Sequence, residues 1–168
     1  ILIEKAAKEL ANFSITDSQM TSLSVHLSNK FLHTDTKLNR VVAIGYFFAK
    51  TLNINDETRL ASLVCAAYFS QIGMMSIALR LSRTDEKEYS EEDKSTYQKY
   101  PSLSLHLCRK AEIEVTVDFQ SILLDHQEKL SGKGFPNGKT VLELSDTSLI
   151  VGFVFHIIEY NDKGLTLL

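Results

Sequence analysis

The chain has no tryptophan, and its 168 residues hold only two prolines and two cysteines. Cys65 and Cys108 stand far apart in apolar, helix-like contexts. That excludes a disulfide framework and a C-x-x-C zinc site, and it fits buried thiols in a reducing cytosol. Positive charge is not in excess: 18 Lys and Arg against 21 Asp and Glu give a net charge of −3. No broad basic field therefore argues for nucleic acid as a partner. Long hydrophobic runs are absent too. The longest, Leu149 to Phe155, is far short of the roughly 20 residues a membrane span needs. No signal peptide, internal repeat or low-complexity segment is visible. No segment alternates apolar and polar residues for long, so essentially no sheet is expected. The chain opens on Ile1 rather than Met, which predicts a fragment of a longer protein with flanking segments outside it.

What is present is helical pattern and an ordinary apolar fraction of 44%. The length suits one domain with a real core, with room for a small helical appendage. Residues 1–12 read as an amphipathic helix, with Leu2, Ala6, Leu10 and Phe13 on one stripe. Thr16 and Asp17 can cap a second helix to about Phe31, its stripe being Met20, Leu23, Leu27 and Phe31. Neither can bury itself alone. Residues 1–35 are therefore read as an N-terminal hairpin packed on the rest or on a second copy, and 36–168 as the main domain.

That domain reads as helix after helix. The first runs from Thr36 to Leu52. A second, Glu57 to Phe69, is capped by Asn55 or Asp56 and is apolar on most sides. Gly73 interrupts, and Met74 to Leu81 is expected to continue helically. The polar stretch from Arg83 to Lys94 reads as an exposed connection. In it Ser90 and Asp93 form a capping box for a helix to Lys99. Pro101 starts another to Lys110. Further helices are expected over Val115 to Leu130 and Leu149 to Tyr160.

The pattern breaks at HQEKLSGKGFPNG, residues 126–138, which holds three of the seven glycines and one of the prolines. Gly132, Gly134, Pro136 and Gly138 mark an ordered loop that leaves a helix and turns sharply. Lys129, Lys133 and Lys139 stand beside glycines whose bare amides could face an anion. The plainer reading is a C-capping glycine followed by a basic, solvated turn.

This stretch resembles the H-H-E-x-x-x-G-x-G-Y-P-x-G signature of HD-GYP domains, with Phe135 for the usual tyrosine. The resemblance extends along the chain in order. LNRVVA, residues 38–43, is similar to the family's H-S-x-R-V-A helix. AAYFSQIGMM, 66–75, stands where it has H-D-I-G-K. KYPSLS, 99–104, stands where it has K-x-H-P-x-x-G. GFVFHIIEY, 152–160, resembles its A-V-A-D-x-Y-D-A helix. The resemblance implies an all-α, HD-domain-like helical bundle that ends early at its C-terminal side. In the family, iron or manganese is held between helices and activates water to hydrolyse cyclic di-GMP.

Carried over residue by residue, the resemblance puts the first metal histidine at Lys37 and the H-D pair at Ser70 and Gln71. The following lysine falls at Met74 and the histidine before proline at Tyr100. The H-H pair falls at His126 and Gln127, and the late aspartate at His156. Only His126 is kept. Ser, Gln, Tyr and Lys are not hard-metal ligands, and two histidines do not replace the lost carboxylates. No cofactor is expected. His126 and His156 each have a plainer reading as hydrogen-bonded core histidines. Met74, Tyr100 and Phe135 read as filling space the ligands left.

The expectation is a non-catalytic, degenerate HD-GYP-like regulatory module of bacterial signalling, cytoplasmic, that binds a partner protein. Its binding element would be Lys129, Ser131, Gly132, Lys133, Gly134, Phe135, Pro136 and Asn137. The resemblance makes a GGDEF diguanylate cyclase the candidate partner. A homodimer stays open. So does a receptor for cyclic di-GMP or another nucleotide, with Lys37, Lys129 and Lys133 on its phosphates. A residual phosphodiesterase and an HDOD-like signalling domain rank below these.

Overall fold

The structure is a computed structural model, and it describes residues 34–162. The hairpin expected over residues 1–35 lies outside the described residues except for its last two positions. Among the described residues there are six α-helices. These are α1 (Thr34–Thr51), α2 (Glu57–Phe69), α3 (Glu91–Tyr97), α4 (Tyr100–Lys110), α5 (Val117–Asp125) and α6 (Asp146–Asp162). Short 3-10 turns cover Ile72–Ser76, Glu86–Glu88 and Val141–Glu143. Among the described residues, pairing of β type is limited to one isolated bridge between Ser131 and Thr140. The all-helical bundle expected from the apolar periodicity is what forms.

α2 is the centre. Its side chains from Leu60 to Ala67, and Phe69, are buried, because α1, α5 and α6 pack around it. A helix apolar on nearly all sides can only be stable in such a position. The Asp56 carboxylate caps it by accepting from the Arg59 amide at 2.8 Å. On the far side Arg59 pairs with Asp118 at 3.2 Å and with Asp146, tying α2 to the starts of α5 and α6. At the start of α3, Ser90 and Asp93 cap each other's backbone amides, as their spacing predicts.

Three boundaries differ from the sequence reading. Met74 to Leu81 is not a helix: a 3-10 turn ends at Ser76 and turns follow. Ser104 explains the break. Its hydroxyl donates to the Ser70 carbonyl at 2.7 Å and accepts the Gly73 amide at 2.8 Å, which replaces the helical ladder with contacts to α4. A Cβ at Gly73 would collide with the Tyr100 carbonyl oxygen, so only glycine permits this approach. α5 ends at Asp125, five residues before Leu130, for reasons that belong to the site. α6 begins at Asp146, three residues before Leu149. Ser145 accepts the Ser148 amide at 3.1 Å and caps it early.

Candidate functional site

The start of α4 and the end of α5 meet α6 and the first turns of α1 at one centre, and His126 is its core. The ring is fully buried. Its Nδ1 faces the carbonyls of Leu123 at 3.1 Å and Ile122 at 3.3 Å, so the proton belongs on Nδ1. Nε2 then accepts the Tyr100 hydroxyl at 2.9 Å. Burial is the main cause that holds this imidazole down at about 4, against an ordinary 6.5; the two carbonyls partly oppose it. Burial also pushes the Tyr100 hydroxyl well above its usual range. The pair is therefore neutral and mutually satisfied.

Phe155, not His156, faces His126, with ring centroids 5.3 Å apart. His156 is exposed. Phe155 thus holds the inward position, and the reading of His156 as a core histidine is corrected. One residue turns a side chain by about 100° around a helix, enough to move it from core to solvent. The buried stripe Val151, Val154, Phe155 and Ile158 carries that register in the sequence.

Lys37 comes to the same centre. Its ammonium lies 5.6 Å from the Phe155 ring centroid and 2.8 Å from a Glu159 carboxylate oxygen. A tethered cation with its own counter-ion thus stands beside His126. Ser70 is buried and donates to the Ala67 carbonyl at 2.8 Å, and Gln127 is buried next to His126. Among the described residues no three of His, Cys, Asp and Glu converge so that they could hold a metal ion. A lysine, a hydroxyl already used and a tyrosine do not fit iron or manganese.

Beside this centre opens a cavity of about 510 Å³. Lys37, Gln71, Met74, Tyr97 and Tyr100 line it together with Glu159, and Arg83, Asp85, Glu86 and Asp162 stand at its exposed edge. Four carboxylates here face two cations, and Lys37 is already paired with Glu159. Of the expected pocket residues, Ser70, His126, Gln127 and His156 do not line it.

The loop after α5 is pinned from inside. Glu128 is 5% exposed and accepts the amides of Asn137 at 2.7 Å and Lys139 at 3.0 Å. Lys139 reaches both oxygens of the buried Asp125, at 2.9 and 2.8 Å. The Phe135 amide donates to the Gln127 carbonyl at 3.3 Å. α5 gives way after Asp125, where the Glu128 amide turns back to the Asp125 carbonyl at 2.9 Å and the Phe135 amide takes the Gln127 carbonyl that a continued helix would have given to Ser131. Gly134 packs on the Glu128 backbone where any Cβ would collide, and Gly132 and Gly138 take φ of 72° and 68°. Phe135 turns inward: its ring lies 5.8 Å from Tyr97 and 6.0 Å from Tyr100, so loop and centre share one aromatic cluster.

Lys129, Ser131, Lys133 and Asn137 are exposed, and Gly132, Gly134, Phe135 and Pro136 are half-buried. The bridge between Ser131 and Thr140 brings Leu130, 63% exposed, beside Val141 and the 93% exposed Leu142. Sequence reasoning missed Glu128, Asp125, Phe155, Glu159 and the Leu130 patch. Two carboxylates directly before a glycine-rich loop were the available signal for the first pair.

The family model described as HD domain matches residues 19–156, most of the chain. The chain belongs to the HD-domain family. No curated protein matches it. The match begins within the segment read from the sequence as a separate hairpin.

Proposed function

We propose that this chain is a degenerate, HD-GYP-like module that does no hydrolysis and acts in cytoplasmic signalling by binding a partner protein through the loop after α5. The carrying observation is the loop's construction. Glu128, Asp125 and Phe135 hold it from beneath, while Lys129, Leu130 and Lys133 face outward. A surface held rigid before binding loses little entropy on binding. The sequence order that resembles HD-GYP domains makes a GGDEF diguanylate cyclase the candidate partner. The donor set around His126 supports the absence of metal-dependent chemistry, since it offers no carboxylate cage.

The cavity's size favours a second reading, a nucleotide receptor, because about 510 Å³ is in the range of ligand sites. Its charge weighs against that reading. Lys37 is engaged by Glu159, Lys129 and Lys133 do not line it, and carboxylates outnumber cations. Two phosphates would meet like charge. Calorimetric titration of the chain with cyclic di-GMP separates the readings. The partner-binding reading expects no heat of binding at micromolar ligand. Micromolar binding abolished by Lys37→Ala would establish the receptor instead.

A further inference from the structure

α1 and α6 cross with Lys37 meeting Glu159 near one end and Phe48 meeting Phe153 further along, their rings 5.8 Å apart. Their outer sides form one apolar face that serves no part of the site described above. Phe47 is 49% exposed, Phe153 54% and Leu52 61%, and Ile44, Phe48 and Ile157 are half-buried around them. Phe47 also packs edge-on against Phe48, with centroids 6.0 Å apart. Single exposed apolar residues need no explanation, but a contiguous aromatic face marks a place that something covers.

We infer that residues 1–13 of this same chain dock on the Phe47, Phe48 and Phe153 face. The first argument is reach. The described residues begin at Thr34, where α1 starts. Thr34 to Phe48 along α1 spans about 21 Å, and the 33 residues that precede Thr34 exceed that reach even at the roughly 1.5 Å per residue of a helix. The second argument is pattern. Leu2, Ala6, Leu10 and Phe13 make one apolar stripe, with Glu4, Lys5, Lys8 and Glu9 off it. That stripe has the length and chemistry to lie across the two helices. The third is connectivity, since a tethered segment meets the face at a high effective concentration that a free partner does not reach.

Hydrogen exchange on the full-length chain tests the inference. In the wild type the amides of residues 1–13 are expected to be protected. Phe153→Asp, and independently Leu10→Asp, should each reduce that protection at least tenfold while exchange in α2 and α5 stays unchanged. If Phe153→Asp unfolds the domain, Phe47→Asp, at an equally exposed position, gives the same reading. Free exchange of residues 1–13 in the wild type overturns the inference. So does protection that survives the face substitutions. A concentration-dependent dimer that Phe153→Asp abolishes would assign the face to a second copy instead and would also overturn it. None of these outcomes depends on whether the loop after α5 binds a partner.

Discussion

Replacing His126 with Gln should flatten the acid side of the stability profile. In the wild type the imidazole is buried and neutral, and burial sets its titration at about 4 rather than the ordinary 6.5. Between those values the unfolded chain binds a proton that the folded chain refuses. Stability is therefore complete above about pH 6.5 and falls as pH falls toward 4. At 1.36 kcal/mol per pH unit the whole gap is worth roughly 3 kcal/mol, and about 2 kcal/mol of it is lost between pH 6.5 and pH 5. Gln cannot titrate, yet its amide oxygen can accept the Tyr100 hydroxyl that Nε2 accepts now. Urea denaturation followed by circular dichroism at several pH values from 7 to 5 provides the assay. The variant is expected to be about 1 to 2 kcal/mol weaker at pH 7 from imperfect packing and to lose about 2 kcal/mol less on acidification. Groups untouched by the substitution contribute equally to both proteins and cancel in the difference. Parallel profiles for wild type and His126→Gln would refute the reasoning, because they would mean that His126 titrates alike in folded and unfolded chains.

Glu128→Ala frees two loop amides and should cost about 2 kcal/mol, with faster hydrogen exchange at Asn137 and Lys139 as the local readout. Lys139→Met strands the buried Asp125 carboxylate and should cost about 3 kcal/mol, much of it recovered when Asp125→Asn is added; denaturant melts of the single and double variants check this. Gly73→Ala forces α4 away from the 3-10 turn and should lower stability by several kcal/mol, to about the level of a disrupted core, measured the same way. Elemental analysis of purified protein should find no stoichiometric iron or manganese, and Lys37→His should not restore them, because Tyr100, Phe155 and Ser70 still replace the other ligands.

The sequence is most legible where local chemistry decides structure. The bounds of α2 follow from an aspartate cap and an unbroken apolar run, and the start of α3 follows from the Ser90 and Asp93 box. It is least legible where a distant group decides. The Gln127 carbonyl, which a continued α5 would give to Ser131, is taken instead by the Phe135 amide of the loop. Nothing local denies Met74 to Leu81 a helix; the Ser104 hydroxyl on another element does. In the site, the motif order leads to His126, Tyr100, Gln71 and Met74, and the structure places Tyr100 on His126 and the other two in the adjoining cavity. The misreading of His156 as a core residue arises because a motif lined up by similarity carries no helical phase, whereas the buried stripe through Phe155 does. Phe135 reads as a loop residue, and only the fold shows that it belongs to the aromatic cluster of Tyr97 and Tyr100.

Affinity for a GGDEF diguanylate cyclase domain, measured by calorimetry with the wild type and two variant sets, tests the central claim most directly. The account predicts micromolar or tighter binding by the wild type. Lys133→Glu with Leu130→Asp, on the exposed rim of the loop, should weaken it at least tenfold with the fold intact, because surface changes cost little stability. Lys37→Ala, in the cavity, should leave it nearly unchanged. Binding that survives the loop substitutions and disappears with Lys37→Ala would contradict the claim, and a wild type that does not bind would remove the cyclase as its partner.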